Sequence, residues 1–145
     1  MNKPTRVQLG NLYEKRFEVF CIERNIPIYS PVQNQSIEDY VIVHKNDYKT
    51  VNVKYRSWNN RDRCELQLIS KAGGKDGANY LATSHLDYII FCTNLFPRRF
   101  FYIDLWKLRD SDKINSKYPS LSLSRETIMN YEFSTEKINE YNLPH

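Results

Sequence analysis

The segment DYVIVHKNDYKTVNVKYRS, residues 39–57, decides the fold of this chain because it predicts a β-hairpin. Four consecutive apolar residues begin at Tyr40, a polar turn follows at residues 45–47, and the chain returns as an alternating strand. On the return strand, Val51 and Val53 are expected to face the core. The segment therefore predicts two antiparallel strands with one apolar face.

Polar residues on this hairpin indicate a functional site. Asn52 and Lys54 are two residues apart, so both side chains are expected on the face opposite the valines. The turn brings them back beside Asp39, which begins the first strand. We therefore expect Asp39, Asn52 and Lys54 to converge.

A helix is predicted before the hairpin, from about residue 6 to residue 25. Its apolar residues recur at intervals of four, four and three and form one stripe: Leu9, Tyr13, Phe17 and Phe20. Glu14 flanks this stripe, at the rim of the face expected to pack on the sheet. The helix is thus expected to bring a carboxylate toward the hairpin.

More strands are predicted after the hairpin, within residues 64–70, 87–92 and 98–105. A glycine-rich loop is predicted at 71–77, and a C-terminal helix after Ser134. A helix, then strands, then a helix indicate a single α/β (mixed α+β) domain over residues 1–145. We expect a central mixed sheet flanked by helices.

Composition limits the class of protein. The chain has 21 Lys and Arg against 17 Asp and Glu, a net charge of +4, which permits nucleic-acid binding without requiring it. The three cysteines form no C-x-x-C pair, and no run of apolar residues is long enough for a secretion signal or a membrane span. We therefore expect a cytoplasmic protein with reduced thiols and no membrane contact. Zinc-enzyme histidine spacing, a G-x-S-x-G elbow and a phosphate-binding loop are all missing from the sequence.

The converging residues have a defined chemistry. Oxygen atoms from Asp39, Glu14 and the Asn52 amide, completed by water, suit Mg²⁺, with Mn²⁺ as a substitute. Such a metal polarises a phosphate and lowers the pKa of a bound water. Lys54 is a compact cation that would orient this water or stabilise charge developing on phosphorus. The residue types therefore favour hydrolysis of a phosphodiester.

This arrangement resembles the PD-(D/E)xK nuclease core: Asp39, then twelve residues, then Asn52-Val53-Lys54, on a hairpin preceded by a helix bearing Glu14. Within that superfamily, the segment GNLYE at residues 10–14 and the interval of 25 residues from Glu14 to Asp39 are similar to the cyanobacterial group I intron homing endonucleases. The resemblance spans roughly residues 6–105.

The resemblance implies a restriction-endonuclease-like fold with its core at about residues 6–105. Residues 106–145 would form an extension that binds DNA or oligomerises. It also implies Mg²⁺-dependent, site-specific cleavage of double-stranded DNA, with four catalytic residues: Glu14, Asp39, Asn52 and Lys54. Assembly into a homodimer or homotetramer is implied as well, because two active sites must meet two strands.

Asn52 departs from the family pattern, which has an acid at this position, or a glutamine in the homing endonucleases. A neutral amide binds a cation less strongly than a carboxylate does. Three consequences are then open. Asp39 holds the metal largely alone, or Glu65 or Gln67 on the next strand supplies another oxygen, or the activity of the site is reduced. Other interpretations therefore stay open: a Holliday-junction resolvase or restriction-type nuclease, a catalytically silent DNA-binding module, and a structural protein whose polar strand residues face water.

Basic residues and one tryptophan near the return strand are predicted to contact DNA. They follow that strand, lie in the glycine-rich loop or lie between the last two strands: Arg56, Trp58, Arg61, Arg63, Lys71, Lys75, Arg98 and Arg99. In a DNA enzyme these cations contact phosphates and supply most of the salt-dependent affinity. Trp58 is expected either to read or wedge bases or to pack on its own domain.

Overall fold

The computed structural model describes residues 3–31, 38–58, 61–68, 86–111 and 120–133. A helix is followed mainly by strands, and two short helices lie in the last third of the chain. In chain order the elements are α1 (Arg6–Glu23), β1 (Ile28–Tyr29), β2 (Tyr40–His44), β3 (Asp47–Tyr55), β4 (Arg63–Gln67), β5 (Tyr88–Cys92), β6 (Phe101–Asp104), α2 (Leu105–Ser111), β7 (Ser120–Ser124), α3 (Arg125–Ile128) and a 3₁₀ turn (Met129–Tyr131).

Helix α1 begins and ends where its local sequence favours it. The Thr5 hydroxyl accepts a hydrogen bond from the Gln8 backbone N–H at 3.1 Å, and the Gln8 side chain accepts one from the Thr5 N–H at 2.8 Å. This reciprocal capping box satisfies two N–H groups that the helix leaves unpaired. At the other end Asn25 has φ of 58°, a left-handed conformation that asparagine tolerates and that stops a helix. The predicted helix is confirmed.

The hairpin of β2 and β3 turns through two residues. Lys45 and Asn46 have φ of 54° and 63°, which is the signature of a type I′ turn. That turn has the same twist as the strands it joins, so it fixes the register of β2 against β3. Asp47 already pairs with His44, so the turn is one residue shorter than the sequence predicted.

The central sheet has five strands in the order β1-β2-β3-β5-β6. Strands β3 and β5 run parallel, and the other neighbours are antiparallel, so the predicted mixed sheet is confirmed. Strand β4 pairs instead with β7 in a separate two-stranded antiparallel sheet. Because β3 and β5 are parallel, the loops that follow them leave the same edge of the central sheet.

The central sheet separates two apolar cores. Tyr13, Phe17 and Phe20 of α1 pack on the face that carries Val51 and Val53. The opposite face, with Ile89 and Phe91, packs against the small sheet and α3. All five residues of β5 are buried because both of its faces are covered. Residues after 105 contribute to both cores: Leu123, Ile128 and Phe133.

Some of the remaining sequence predictions concern residues that the structure describes, and others concern residues outside the described ranges. Cys21, Cys64 and Cys92 are buried and form no disulfide, as expected for reduced thiols. No helix within the described ranges is long and apolar enough to cross a membrane. The predicted glycine-rich loop at 71–77 and the helix after Ser134 lie outside the described residues.

Candidate functional site

Strand β3 extends beyond the point where β2 begins. The last pair in the register joins Tyr40 to Val51, whereas β3 continues to Tyr55 alongside β5. The Asp39 backbone N–H donates to the Val51 carbonyl at 2.8 Å, which adds one more link. Asp39 therefore lies where β2 starts, and Lys54 lies just past that point on β3.

The Asp39 carboxylate is bonded directly to β3. Its Oδ2 accepts a hydrogen bond from the Val53 backbone N–H at 2.6 Å. Val53 is only 9% exposed, and a buried N–H needs an acceptor. The carboxylate supplies the acceptor that another β2 residue would have offered. The expected approach of Asp39 to residues 52–54 is thus present as a hydrogen bond.

Glu14 of α1 interacts electrostatically with Asp39 and Lys54 of the hairpin. Burial raises the pKa of the Glu14 carboxyl and the charge of Asp39 raises it further, whereas Lys15 and Lys54 lower it. These influences are electrostatic, so they arise only between groups that lie near one another. The structure therefore brings Glu14, Asp39 and Lys54 into one charged cluster, which we call the acid–lysine cluster.

The pKa of the Asp39 carboxyl is raised, as is that of Glu14. Burial raises the pKa of the Asp39 carboxyl, while the Val53 N–H and the Lys54 ammonium act to lower it. Two interacting carboxyls that are both costly to ionise would be stabilised by a bound cation. Shifts of this kind in neighbouring groups are concentrated at functional sites.

Asn52 is buried, with 7% of its surface exposed. It lies on the sheet face opposite α1, in register with Ile89, and the half-buried Lys54 follows on the same face. The alternative that Asn52 faces water on a half-exposed sheet is therefore wrong. A carboxylate at this buried position would cost far more to desolvate than an amide, which is a physical reason for asparagine here.

The two alternative oxygen donors lie elsewhere. Glu65 and Gln67 are exposed on β4, which is the next strand in sequence but belongs to the other sheet. Among the described residues, no three His, Cys, Asp or Glu side chains form a group able to hold a metal. A cation at this site would therefore depend on Glu14, Asp39 and water, and the metal-binding role of the Asn52 amide stays a prediction.

The loops that follow β3 and β5 carry most of the residues predicted to contact DNA. Arg61 and Arg98 are exposed there and Arg56 is half-buried, while Arg63 is exposed at the start of β4. Arg99 is already paired, because its guanidinium makes two contacts of 2.6 Å with the Glu132 carboxylate. Lys71 and Lys75 lie outside the described residues.

Trp58 packs on its own domain. Its indole N–H donates to Asp62 at 2.8 Å, and its backbone N–H donates to the Asn94 side chain at the same distance. Its ring lies edge-on to Phe96, with the centroids 6.2 Å apart. These contacts favour the packing role over base wedging for this tryptophan.

A groove along α1 contains cations that the sequence interpretation missed. Its volume is about 880 Å³, and Lys15, Arg16 and Arg24 of α1 line it opposite Arg98. Lys15 and Arg16 are exposed and Arg24 is half-buried on α1, so only the approach of the loop with Arg98 reveals a shared groove. Their signal in the sequence is the Lys-Arg pair directly after Glu14.

Replacing Asp39 with alanine is expected to lower the free energy of unfolding by about 1–3 kcal/mol, because the buried Val53 N–H loses its acceptor. Asp39→Asn keeps an oxygen at that position and is expected to cost less than about 1 kcal/mol. Urea denaturation of both variants measures the difference. Equal stability of the two variants would contradict the structural role of this bond.

No family model matches the chain, and no curated protein matches it significantly. Among solved structures, the chain is similar to a bacterial homing endonuclease, I-Ssp6803I, with a TM-score of 0.63 and 11% sequence identity. The match covers 96% of this chain and 94% of that one. At this identity the likeness concerns the fold. The chain thus shares its mixed α+β fold, over nearly its whole length, with a bacterial homing endonuclease.

Proposed function

We propose that this protein is a metal-dependent, site-specific DNA endonuclease of the homing type, built on a PD-(D/E)xK-like core. The observation that carries the proposal is the acid–lysine cluster at the point where β3 passes the start of β2. The fold shared with a bacterial homing endonuclease supports the same activity. A basic groove and exposed arginines near the same edge of the sheet suit a polyanion.

The donor set fits a hard divalent cation. Glu14 and Asp39 would supply carboxylate oxygens, and water would complete the six ligands of Mg²⁺ or Mn²⁺. When bound, the metal would polarise the scissile phosphate and lower the pKa of the attacking water. Two carboxyls with raised pKa values are suited to this role, because a cation relieves the cost of ionising both.

Lys54 acts on the phosphate rather than on the cation. Its ammonium orients the attacking water or stabilises the negative charge that develops on the phosphate oxygens. Both Lys54 and the Asp39 carboxylate are positioned by β3, the latter through the Val53 N–H. A single strand, β3, therefore sets the distance between the Asp39 carboxylate and the Lys54 ammonium. Cutting both strands of a duplex needs two such sites, which a homodimer or homotetramer supplies.

Cleavage of a randomised plasmid library in Mg²⁺ tests the proposal, with the cut ends identified by sequencing. We expect cutting at one long, quasi-palindromic site, and a chelator should abolish it. Cutting of four-way junctions or of short palindromes would instead identify a Holliday-junction resolvase or a restriction-type enzyme. A chain that cuts no DNA in either Mg²⁺ or Mn²⁺ contradicts the proposal.

Asn52 supports a second candidate, a catalytically silent DNA-binding module. Its neutral amide weakens the affinity for a cation relative to the acid of the general nuclease pattern. Salt-sensitive DNA binding without cleavage would establish this candidate. If binding were also lacking, a structural role would remain.

Arg98→Ala is expected to weaken DNA binding and to reduce the slope of log affinity against log salt by about 1, because one phosphate contact is lost. Lys107→Ala on α2 is the matched control. Lys107 is also an exposed cation, and it lies past the end of β6, away from the groove. Fluorescence anisotropy across a salt series measures both slopes. Equal slopes for the two variants would place the DNA on another surface.

A further inference from the structure

Tyr13, Tyr40 and Tyr55 are each adjacent in sequence to one residue of the acid–lysine cluster. We call these three residues the tyrosine bracket. All three side chains belong to the apolar layer between α1 and the central sheet. Each therefore links the helix and the hairpin within one residue of a charged group.

Tyr13 and Tyr55 stack across the gap between α1 and β3. Their ring centroids are 4.6 Å apart and their planes differ by 24°. The Arg16 guanidinium also lies 4.9 Å from the centre of the Tyr13 ring. The stacked pair thus joins α1 beside Glu14 to β3 beside Lys54.

Tyr40 joins β2 to the backbone of Glu14 itself. Its hydroxyl lies 3.3 Å from the Glu14 carbonyl oxygen and 3.1 Å from a Glu18 carboxylate oxygen. Tyr40 is 4% exposed, so few other partners compete for the hydroxyl. Because Tyr40 follows Asp39 directly, this contact ties the helix position of one acid to the strand position of the other.

Apolar packing also connects α1 to the rest of the chain. The other described contacts of α1 include the rings of Phe17 and Phe20, which pack against Phe100 and Phe133. Apolar packing resists separation of the two layers, but it specifies their relative position less sharply than a hydrogen bond does. A displacement of about 1 Å in a reacting group is enough to slow catalysis about 100-fold.

We propose that the tyrosine bracket positions the Glu14 carboxylate against Asp39 and Lys54, and thereby sets the Mg²⁺ affinity of the site. The inference rests on the proposed function, because the affinity matters only if the cluster binds a cation. The tyrosines are positioning residues, since they act through the helix and the strands to which they belong.

Titration of the Glu14 carboxyl by NMR tests the positioning without metal or DNA. In the otherwise wild-type chain, Asp39→Asn removes a neighbouring charge and is expected to lower the Glu14 pKa. In chains that carry Tyr40→Phe or Tyr55→Leu, the same substitution is expected to shift the Glu14 pKa by less than half as much. Tyr55→Phe keeps the stacked ring and should restore the full shift.

Tyr48 provides the matched control. It lies on β3 near the turn and is 66% exposed. Tyr48→Phe and Tyr48→Leu therefore make the same substitutions as at Tyr40 and Tyr55, but at a position away from α1. Both control variants should leave the response of Glu14 to Asp39→Asn unchanged. Thermal unfolding of every variant confirms that the chains compared are folded.

Calorimetry with Mg²⁺ gives the second measurement. We expect affinity to fall about 10-fold in Tyr40→Phe, with kcat reduced more than KM changes. A wild-type chain that shows no Glu14 response and no Mg²⁺ binding would contradict the proposed function. A wild-type chain that shows both, while Tyr40→Phe and Tyr55→Leu behave like it, would overturn the bracket and leave the proposed function standing.

Discussion

Lys54→Ala is expected to lower the single-turnover rate of DNA cleavage by about 1000-fold, because one positioned cation no longer stabilises the charge on the reacting phosphate. Binding of DNA and Mg²⁺ should change by less than about threefold, since the Asp39 and Glu14 carboxylates remain in place. Removal of the ammonium also takes away a charge that lowers the pKa of both carboxyls. The variant should therefore need a somewhat higher pH to hold its metal.

Lys49→Ala is the matched control for this experiment. Lys49 lies on the same strand and is also half-buried, but it pairs with Asp47 near the turn, at 3.7 Å. Its removal should leave the cleavage rate within about twofold of wild type, because it contributes no charge to the reacting phosphate. If Lys54→Ala cut as fast as Lys49→Ala, the role assigned to Lys54 would be wrong.

Acidification from pH 6.5 to pH 4 is expected to reduce the free energy of unfolding by about 3 kcal/mol through His44 alone. Burial lowers the pKa of His44 to about 4, and the charges of Lys45 and Lys49 act in the same direction, whereas Asp104 opposes them. His44 is 5% exposed, and its Nδ1 lies 2.8 Å from the Tyr88 hydroxyl. In the unfolded chain this histidine has its ordinary pKa near 6.5.

The sign of the effect follows from which state binds the proton first. Above pH 6.5 His44 is neutral in both states, so its contribution to stability is fully present. As the pH falls, the unfolded chain takes up a proton well before the folded chain does, and stability is lost until the folded pKa is reached. The raised pKa values of Glu14 and Asp39 act in the opposite direction, since they favour the folded state below the ordinary carboxyl pKa and lose that contribution as pH rises.

Urea denaturation of the wild-type chain and of His44→Gln between pH 4 and pH 7 isolates the histidine. The carboxyl contributions are common to both proteins and cancel in the difference of their unfolding free energies. His44→Gln is expected to be less stable at pH 7 but to lose about 3 kcal/mol less on acidification. Identical pH dependence of the two proteins would show that His44 is accessible to protons in the folded state.

The local elements of this fold are encoded by short-range patterns. The capping pair Thr5 and Gln8 starts α1, and Asn25 ends it, because each contact spans only a few residues. The turn at Lys45 and Asn46 likewise involves only neighbouring residues, and it fixes the register of the hairpin. Since the register of a hairpin follows from its turn, the approach of Asp39 to the return strand was predictable from the sequence.

Long-range pairing was not predictable in this way. Strand β4 alternates buried Cys64 and Leu66 with exposed residues. This pattern is typical of a strand in an antiparallel sheet, but it does not identify the strand with which β4 pairs. Only the tertiary structure assigns it to β7, more than fifty residues later in the chain. As a result Glu65 and Gln67 leave the candidate site, although they follow it closely in sequence.

The sequence by itself determined the helix, the hairpin and the candidate residues Glu14, Asp39 and Lys54, because local hydrogen bonds and side-chain periodicity fix each element separately. The tertiary structure decided how those elements pack against one another. Burial on both faces of the sheet made Asn52 an interior residue, and the contacts of the tyrosine bracket set α1 against the hairpin. Burial and charge proximity depend on how the elements pack, so the raised pKa values of the Glu14 and Asp39 carboxyls arise only in the folded chain.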